Sequence, residues 1–429
     1  MRALKPDKIL RAVEGGARGY AAWLAFAVLL LVAPKLFSSA VSVSLLSQMG
    51  IAIVFGLSYN MLLGQGGMLS FGHAVYLGLG AFMSAHLMNL AGHGVIWLPL
   101  PLVPLAGGLA GLIFAALIGY VIARSSGTTL AMITLGIGEM VFACSQMFSG
   151  FFGGEGGVST DRVYQPALWG WTFGHQVQVY YLIAVWVFLC TAAIYALTRT
   201  PFGWMLNAVR DNAERVAFVG HDPRLVRYLA LMLSGLFAGV AGSLSAINFE
   251  IATAENLGAA SSATVLFFTF IGGLGSFAGP MVGAVAGVLM TVLLPNYTEA
   301  WRMYMGLLFI LVVVYAPGGL TSLMVPAIRL ARRKWTLGLA GRALVCALCA
   351  MALLAGTVAV VELLYRRSPG GQQALVLSLD DPRLWMWAAG LVSLAVGLLG
   401  IKPSIRWFAR VLDESADQTR ASKARGDAR

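Results

Sequence analysis

Apolar blocks of about twenty residues recur along most of this chain, and that property leaves very few folds open to it. A helix needs about 20 residues to cross the roughly 30 Å hydrocarbon core of a bilayer. Inside that core every backbone N–H and C=O must be paired within the protein, so the spanning elements are helices or a closed barrel. The blocks are continuous rather than alternating, which selects helices. Only 11% of the 429 residues are charged, against about 25% in a soluble domain. The 51 glycines fit the same class, because small residues let membrane helices approach closely. The expected fold is an all-α polytopic membrane protein.

Spans are expected near 20–36, 42–63, 70–90, 98–122, 128–148, 178–197, 228–248, 262–274, 279–294, 303–316, 340–362 and 384–401. That makes about ten core transmembrane or re-entrant helices plus two extra C-terminal spans. Residues 262–294 would read as one span but for Gly272, Gly273, Gly275, Gly279 and Pro280 at their centre. Splitting there puts every basic cluster on one side of the membrane, as short cytoplasmic loops require. The first half, 262–274, is short enough to be re-entrant. The resulting layout is a cytoplasmic N-terminus (1–19), a core (20–320), a basic cytoplasmic linker (321–337), a two-span region (338–401) and a polar cytoplasmic tail (402–429).

The net charge of +11 resides in the connections: Arg2 to Arg18, Arg199 to Arg227, Arg329 to Lys334, and beyond Lys402. Such placement sets topology and accounts for the charge without a nucleic-acid partner. Arg366 and Arg367, in the external loop 363–383, are balanced by Asp380 and Asp381. The block Tyr20–Ala33 lacks a small-x-small cleavage site and reads as a first span or signal anchor. Cys144, Cys190, Cys346 and Cys349 lie inside apolar blocks, where small buried thiols are the expected reading. His86, His93, His175 and His221 show no metal-ligand spacing.

The segment Thr200–Pro223 carries the clearest local signal. Asp211 reads as an N-cap with Glu214 three positions on, as in a capping box. Gly220 reads as the stop, reinforced by Pro223. A helix of about two turns in the internal loop 198–227 is therefore expected, with Arg215, Val216 and Val219 on its surface. So short a helix is marginal alone and needs its own protein or a partner to pack on.

Within the spans, Glu139 stands out, since a mid-span acid costs about 3 kcal/mol on insertion scales. It either lines a polar path or bonds a neighbouring helix. His73, after a glycine break, is expected to bond a free backbone carbonyl at a helix start. Gly153, Gly154 and Glu155 fall in an external glycine loop that is either a gate or an ordinary turn; Trp169, Trp171 and Phe173 beyond it suit a membrane-interface belt. Gly67-Met-Leu-Ser70-Phe71 is echoed by Gly273-Leu-Gly-Ser276-Phe277. The echo is either chance or a weak repeat of broken helices.

Several of these segments resemble one family. Gly64-Gln-Gly-Gly-Met-Leu-Ser-Phe-Gly-His-Ala-Val-Tyr-Leu-Gly-Leu-Gly-Ala81 is similar to the G-x-L-S-F-G-H-A segment of LivM-type permeases of branched-chain amino-acid ABC importers. Thr134-Leu-Gly-Ile-Gly-Glu139, Gly153–Gly157 and Ile271–Ser276 look like that family too, and Pro317-Gly-Gly-Leu320 matches its usual end. Ala213, Glu214 and Gly220 resemble its E-A-A-type coupling loop, with Arg215 where a second alanine is usual. The likeness covers about residues 40–320; residues 336–429 lie outside it.

The resemblance implies a permease subunit of the bacterial inner membrane that imports branched-chain amino acids or related amino acids and amides. It implies a second, LivH-type permease, two cytoplasmic ATPases holding ATP and Mg²⁺, and a periplasmic solute-binding protein. The chain itself is then no enzyme and binds no cofactor or metal. Consistently, no Lys follows a Gly anywhere, so a Walker A loop is absent. Arg210, Asp211, Ala213, Glu214, Arg215 and Gly220 become the coupling residues. Ser70, Phe71, His73, Glu139, Gly153, Gly154, Glu155, Gly272, Gly273 and Ser276 become candidates for the path or its gates. An ion-coupled secondary transporter is the rival reading, and it would need paired acids and bases within the spans, where only Glu139 qualifies. A membrane-embedded enzyme would need convergent catalytic groups, which the sequence does not offer. Which solute is carried is beyond the sequence.

Overall fold

The computed structural model describes residues 6–163, 172–299, 301–315 and 318–322, with side chains from residue 21 on, and a few isolated later positions. Its helices are α1 (Pro6–Leu36), α2 (Ala40–Asn60), α3 (Ala74–Gly92), α4 (Val103–Ile122), α5 (Gly127–Met147), the single turn α6 (Ser149–Phe152), α7 (Gln176–Arg199), α8 (Pro201–Asp211), α9 (Ala213–Phe218), α10 (Pro223–Phe249), α11 (Ala259–Gly272), α12 (Gly279–Val288) and α13 (Trp301–Tyr315). Two-residue strands β1 (Val158–Ser159) and β2 (Ile251–Ala252) pair antiparallel. Seven described helical stretches are long and apolar enough to cross a membrane, and the apolar stretches Ala21–Leu36, Ala259–Gly272 and Trp301–Val314 are shorter. Together they match the ten core elements expected.

The chain divides into two compact units. One is Met1–Tyr297 with Met305–Met324; the other is Thr298–Tyr304 with Val325–Arg429. Most of the second, including the linker, the two extra spans and the tail, lies outside the described residues, as do Trp169 and Trp171.

Glycine, not leucine, builds the centre of the first unit. Gly107 and Gly111 on α4 face Gly235 and Gly239 on α10, each pair spaced as G-x-x-x-G. A Cβ on Gly235 would stand 2.6 Å from Ala115 Cβ and 2.8 Å from Gly111 O. Gly80 on α3 meets the backbone of Gly239 in the same way. Backbone-to-backbone approach is what small residues permit in a membrane, where apolar burial gives helices no reason to associate. Ser84 and Ser243 hydrogen-bond across this seam. The leucines of α4 point the other way: Leu105, Leu109, Ile113 and Leu117 are all at least half exposed.

Contacts between connections sort them into two opposite ends. Gly66, Gly67, Ser126, Gly127, Val209 to Ala213 and Arg227 line one cleft, so loop 61–73, the α4–α5 corner and loop 200–222 share one end. At the other end, Asn89 Nδ2 donates to Ser159 O (3.0 Å) and β1 pairs with β2. Helix α11 has 14 residues, about 21 Å at 1.5 Å per residue, shorter than a full crossing. It turns at Gly273, whose φ of 112° suits only glycine, and α12 departs from Gly279. The split at the central glycines is thus present. The span expected from residue 70 begins at 74, and α1 continues back through residues 6–19, which are helical where a plain terminal segment was expected.

Candidate functional site

The site begins where α2 fails. After Asn60 the helix widens into a π-turn, Met61–Gln65, and then Gly66–His73 run without regular structure until α3 starts at Ala74. Gly67 takes φ +64°. This segment starts in the cleft beside Arg210 and climbs along α5, for Gly72 lies directly against Thr134 O and 3.2 Å separates a Gly138 Cβ from its Cα. Gly138 is about 17 Å along α5 from Gly127, so irregular backbone runs deep among the spans. Such backbone is tolerated there only where its polar groups are satisfied by protein. Several are: Phe71 N donates to Thr134 Oγ1 (3.1 Å), Ala74 N to Ser262 Oγ (2.9 Å), and Tyr59 OH to Ser70 O (3.1 Å).

His73 is fully buried among Phe55, Tyr59 and Tyr76. Its Nε2 lies 3.0 Å from Ser58 Oγ, and that hydroxyl donates to Phe55 O at 2.7 Å. The serine proton being committed, Nε2–H donates to Ser58. The expected direct bond to a backbone carbonyl is therefore corrected: a serine hydroxyl stands between, because Phe55 O is already taken by it. Ser70 and His73 are buried and Phe71 is half-buried.

The second glycine break touches the first. A Cβ on Gly64 would be 3.0 Å from Leu274 O, so the π-turn just before the first echoed segment lies against the second. Gly272 and Gly273 pack backbone-to-backbone on Gly279 and Gly318, and Ser276 Oγ lies 3.1 Å from Thr321 Oγ1, which donates to Gly272 O.

Loop 200–222 holds two helices instead of one. Thr200 caps α8 with Pro201 at its first position, and α8 runs on to Asp211. Asn212, extended at φ −161°, then caps α9, its Oδ1 accepting from Arg215 N at 2.9 Å. Asp211 is thus the last residue of α8 and not an N-cap, and Glu214 stands at the second position of α9, too early for a capping box. The reason is geometric: a cap needs extended backbone, and Asp211 is still helical. The stop at Gly220 is as expected. Its φ is +90°, Gly220 N donates to Ala217 O and His221 N to Val216 O, forming a Schellman motif. Asp222 and Pro223 then open α10.

On α9, Val216 is buried, while Ala213 is half-buried and Glu214 and Arg215 are exposed. Phe218 and Val219 are 91% and 72% exposed. Arg210 ties this loop to the break: its Nη1 donates to Gly64 O at 2.6 Å, and its side chain lies against Gly67.

Helix α5 has two distinct sides. Leu130, Ala131, Thr134, Gly138, Val141 and Ser145 are buried, and Thr128, Thr129, Met132, Gly136, Glu139, Met140, Ala143 and Gln146 are exposed. Glu139 is on the exposed side, so the alternative of a bond to a neighbouring helix of this chain does not hold among the described residues.

At the opposite end the glycine loop is held firmly. Gly153, Gly154 and Gly157 all have positive φ, and Gly157 packs on Ala252 O. Glu155 is exposed on a short 3₁₀ turn. Below it lies a residue that sequence reasoning passed over. Arg162 is 8% exposed and donates to Phe173 O, Ile247 O, Asn248 O and Gln176 Oε1, with Glu250 at 3.4 Å. Its signal was available: it is the sole Lys or Arg between Arg124 and Arg199, at the end that the charge pattern leaves poor in bases.

Comparison with known proteins places these features. A family profile described as "Branched-chain amino acid transport system / permease component" matches residues 41–314. The chain is 28% identical over 348 residues to the high-affinity branched-chain amino acid transport system permease protein LivM of Escherichia coli (strain K12), covering 76% of this chain and 80% of that one. It is 27% identical over 318 residues to a probable branched-chain amino acid transport permease protein LivM of Methanocaldococcus jannaschii, covering 65% and 89%. It is also 27% identical over 221 residues to the guanosine ABC transporter permease protein NupQ of Bacillus subtilis (strain 168), covering 46% and 66%. No solved structure matches.

Proposed function

Because this chain belongs to the permease-component family of the branched-chain amino acid transport system, and is thus an ABC permease rather than an ion-coupled transporter, we propose that it forms one half of a two-permease pore carrying branched-chain or related amino acids inward. ATP and Mg²⁺ act on two separate ATPase subunits, and a solute-binding protein delivers the solute at the opposite end. Loop 200–222 then faces the cytoplasm of a bacterial cell, and the N-terminus lies on that same side.

The observation that carries this reading is the pair Phe218–Val219. Two large apolar side chains stand out from a one-and-a-half-turn helix whose ends are both locked, by Asn212 and by the motif at Gly220. Exposed apolar groups on a rigid loop, which also exposes Trp204 on α8, suit a protein socket. Behind them, Arg210 grips Gly64 and Gly67, and the segment leaving Gly67 packs along the buried side of α5. Movement of α8 and α9 would thus reach α5 through contacts between packed, discrete positions. Glu155 and the glycine loop, held by Gly157 against Ala252 and by the pairing of β1 with β2, are the surface offered to the binding protein.

The test is a Phe218→Asp, Val219→Asp pair of variants in a strain expressing all subunits. Membrane insertion should be unchanged, while ATPase copurification falls and ATP-dependent uptake is lost. Normal assembly and uptake in both would refute the docking assignment.

A further inference from the structure

We infer that Glu139 is the group that receives the positively charged ammonium of the solute as it crosses. This rests on the reading of the chain as one half of a solute pore. Glu139 is near the middle of α5 (Gly127–Met147), exposed, and without an ion-pair or hydrogen-bond partner among the described residues. A carboxylate at that depth does not face hydrocarbon without cost. The contrast with α4 identifies what it does face. The exposed side of α4 is Leu105, Leu109, Ile113, Leu117 and Val121, a surface made for lipid. The exposed side of α5 includes Met140 and Met147 and, at helical spacing, the stripe Thr129, Met132, Gly136, Glu139, Ala143 and Gln146.

This stripe is polar at both ends and acidic at its centre, and it runs from Thr129 to Gln146, about 26 Å. A static contact with a second helix needs one polar point. Polar groups at three depths, with Met132 and the small Gly136 and Ala143 between them, suit a moving polar solute. Gly136, one turn from Glu139, leaves open space where a Cβ would stand, with nothing within 4 Å. Charge complementarity then specifies the occupant. One carboxylate, with no exposed base on the stripe, recognises a solute with a cationic centre, and the ammonium of an amino acid supplies it. The charged hydrogen bond also distinguishes an amino acid from a neutral nucleoside.

The test uses the complete transporter with its binding protein in proteoliposomes, assayed with the amino acids and with guanosine. ATP-dependent uptake of at least one amino acid by the wild type is expected. Glu139→Gln should lower it about tenfold or more, the scale of one charged hydrogen bond, with assembly unchanged, and Glu139→Asp should retain most of it. A Glu139→Cys variant should react with a membrane-impermeant cationic thiol reagent and be protected by the transported amino acid. Wild-type uptake of guanosine but no amino acid overturns the inference. So does unchanged uptake by Glu139→Gln, reaction of Glu139→Cys only with lipid-soluble reagents, or rescue of Glu139→Gln by neutralising a base on the second permease. Uptake by the wild type that needs no ATP would instead refute the pore-with-ATPases reading itself.

Discussion

Replacing Gly235 by alanine puts one methyl group into the close crossing of α4 and α10. The new Cβ would lie 2.6 Å from Ala115 Cβ and 2.8 Å from Gly111 O. Ordinary contact begins near 3.4 Å, so α4 and α10 must part by roughly 0.8 Å, and neither neighbour is a flexible side-chain tip. Overpacking of this kind costs about 1–3 kcal/mol, and the gain in helix propensity returns about 0.5–1 kcal/mol. The net loss is about 1–2 kcal/mol, a five- to thirtyfold drop in the folded ratio. Gly119→Ala on the same seam is the control, because its Cβ would meet Tyr228 and Leu231 at 3.4 and 3.6 Å. It should be neutral or slightly stabilising. Adding Ala115→Gly to Gly235→Ala removes the nearer obstacle and should recover about half of the loss, a coupling that a double-mutant cycle reads directly. Reversible unfolding in mixed micelles, followed by tryptophan fluorescence, would measure all four. If Gly235→Ala and Gly119→Ala unfold alike, close backbone packing does not hold this crossing together.

Three further outcomes are expected. Arg162→Met should destabilise by about 3 kcal/mol, since Phe173 O, Ile247 O and Asn248 O lose their buried donor; Arg162→Lys should fail to restore it, having no planar fork, and protease sensitivity of the loop around Val163 reports both. Thr134→Val leaves Phe71 N without its acceptor and should cost about 1–3 kcal/mol, whereas Thr134→Ser should be close to wild type in thermal melting. Gly220→Ala forces a side chain to φ +90°, a strain of about 1–2 kcal/mol; it should loosen α9 and reduce ATPase copurification, with insertion unaffected, as a pull-down would show.

How far the sequence foresaw the site depended on whether the signal was local. Gly220 was legible because a left-handed stop depends on the residues beside it. Asp211 misled because it has the chemistry of a cap, and only the extent of α8 shows that the extended residue is Asn212. Arg162 needs carbonyls from α10 and from the loop before α7, some eighty positions apart in the chain, so no window of sequence contains its role. The echo of two glycine segments was visible as text; the approach of the π-turn at Gly64 to Leu274 was not.

Among the described residues the apolar helices and their approximate ends follow from the chain alone, because apolar length against bilayer thickness is a sum over consecutive residues. Which side of each span turns inward was left to the tertiary structure. In water, polarity marks the outer face of a helix and makes that decision readable. In lipid both faces are apolar, and the marker becomes size: on α4 the glycines go in and the leucines go out. For the same reason Glu139 could be noticed in the sequence, while its direction, and so its proposed task, emerged only once α5 had neighbours.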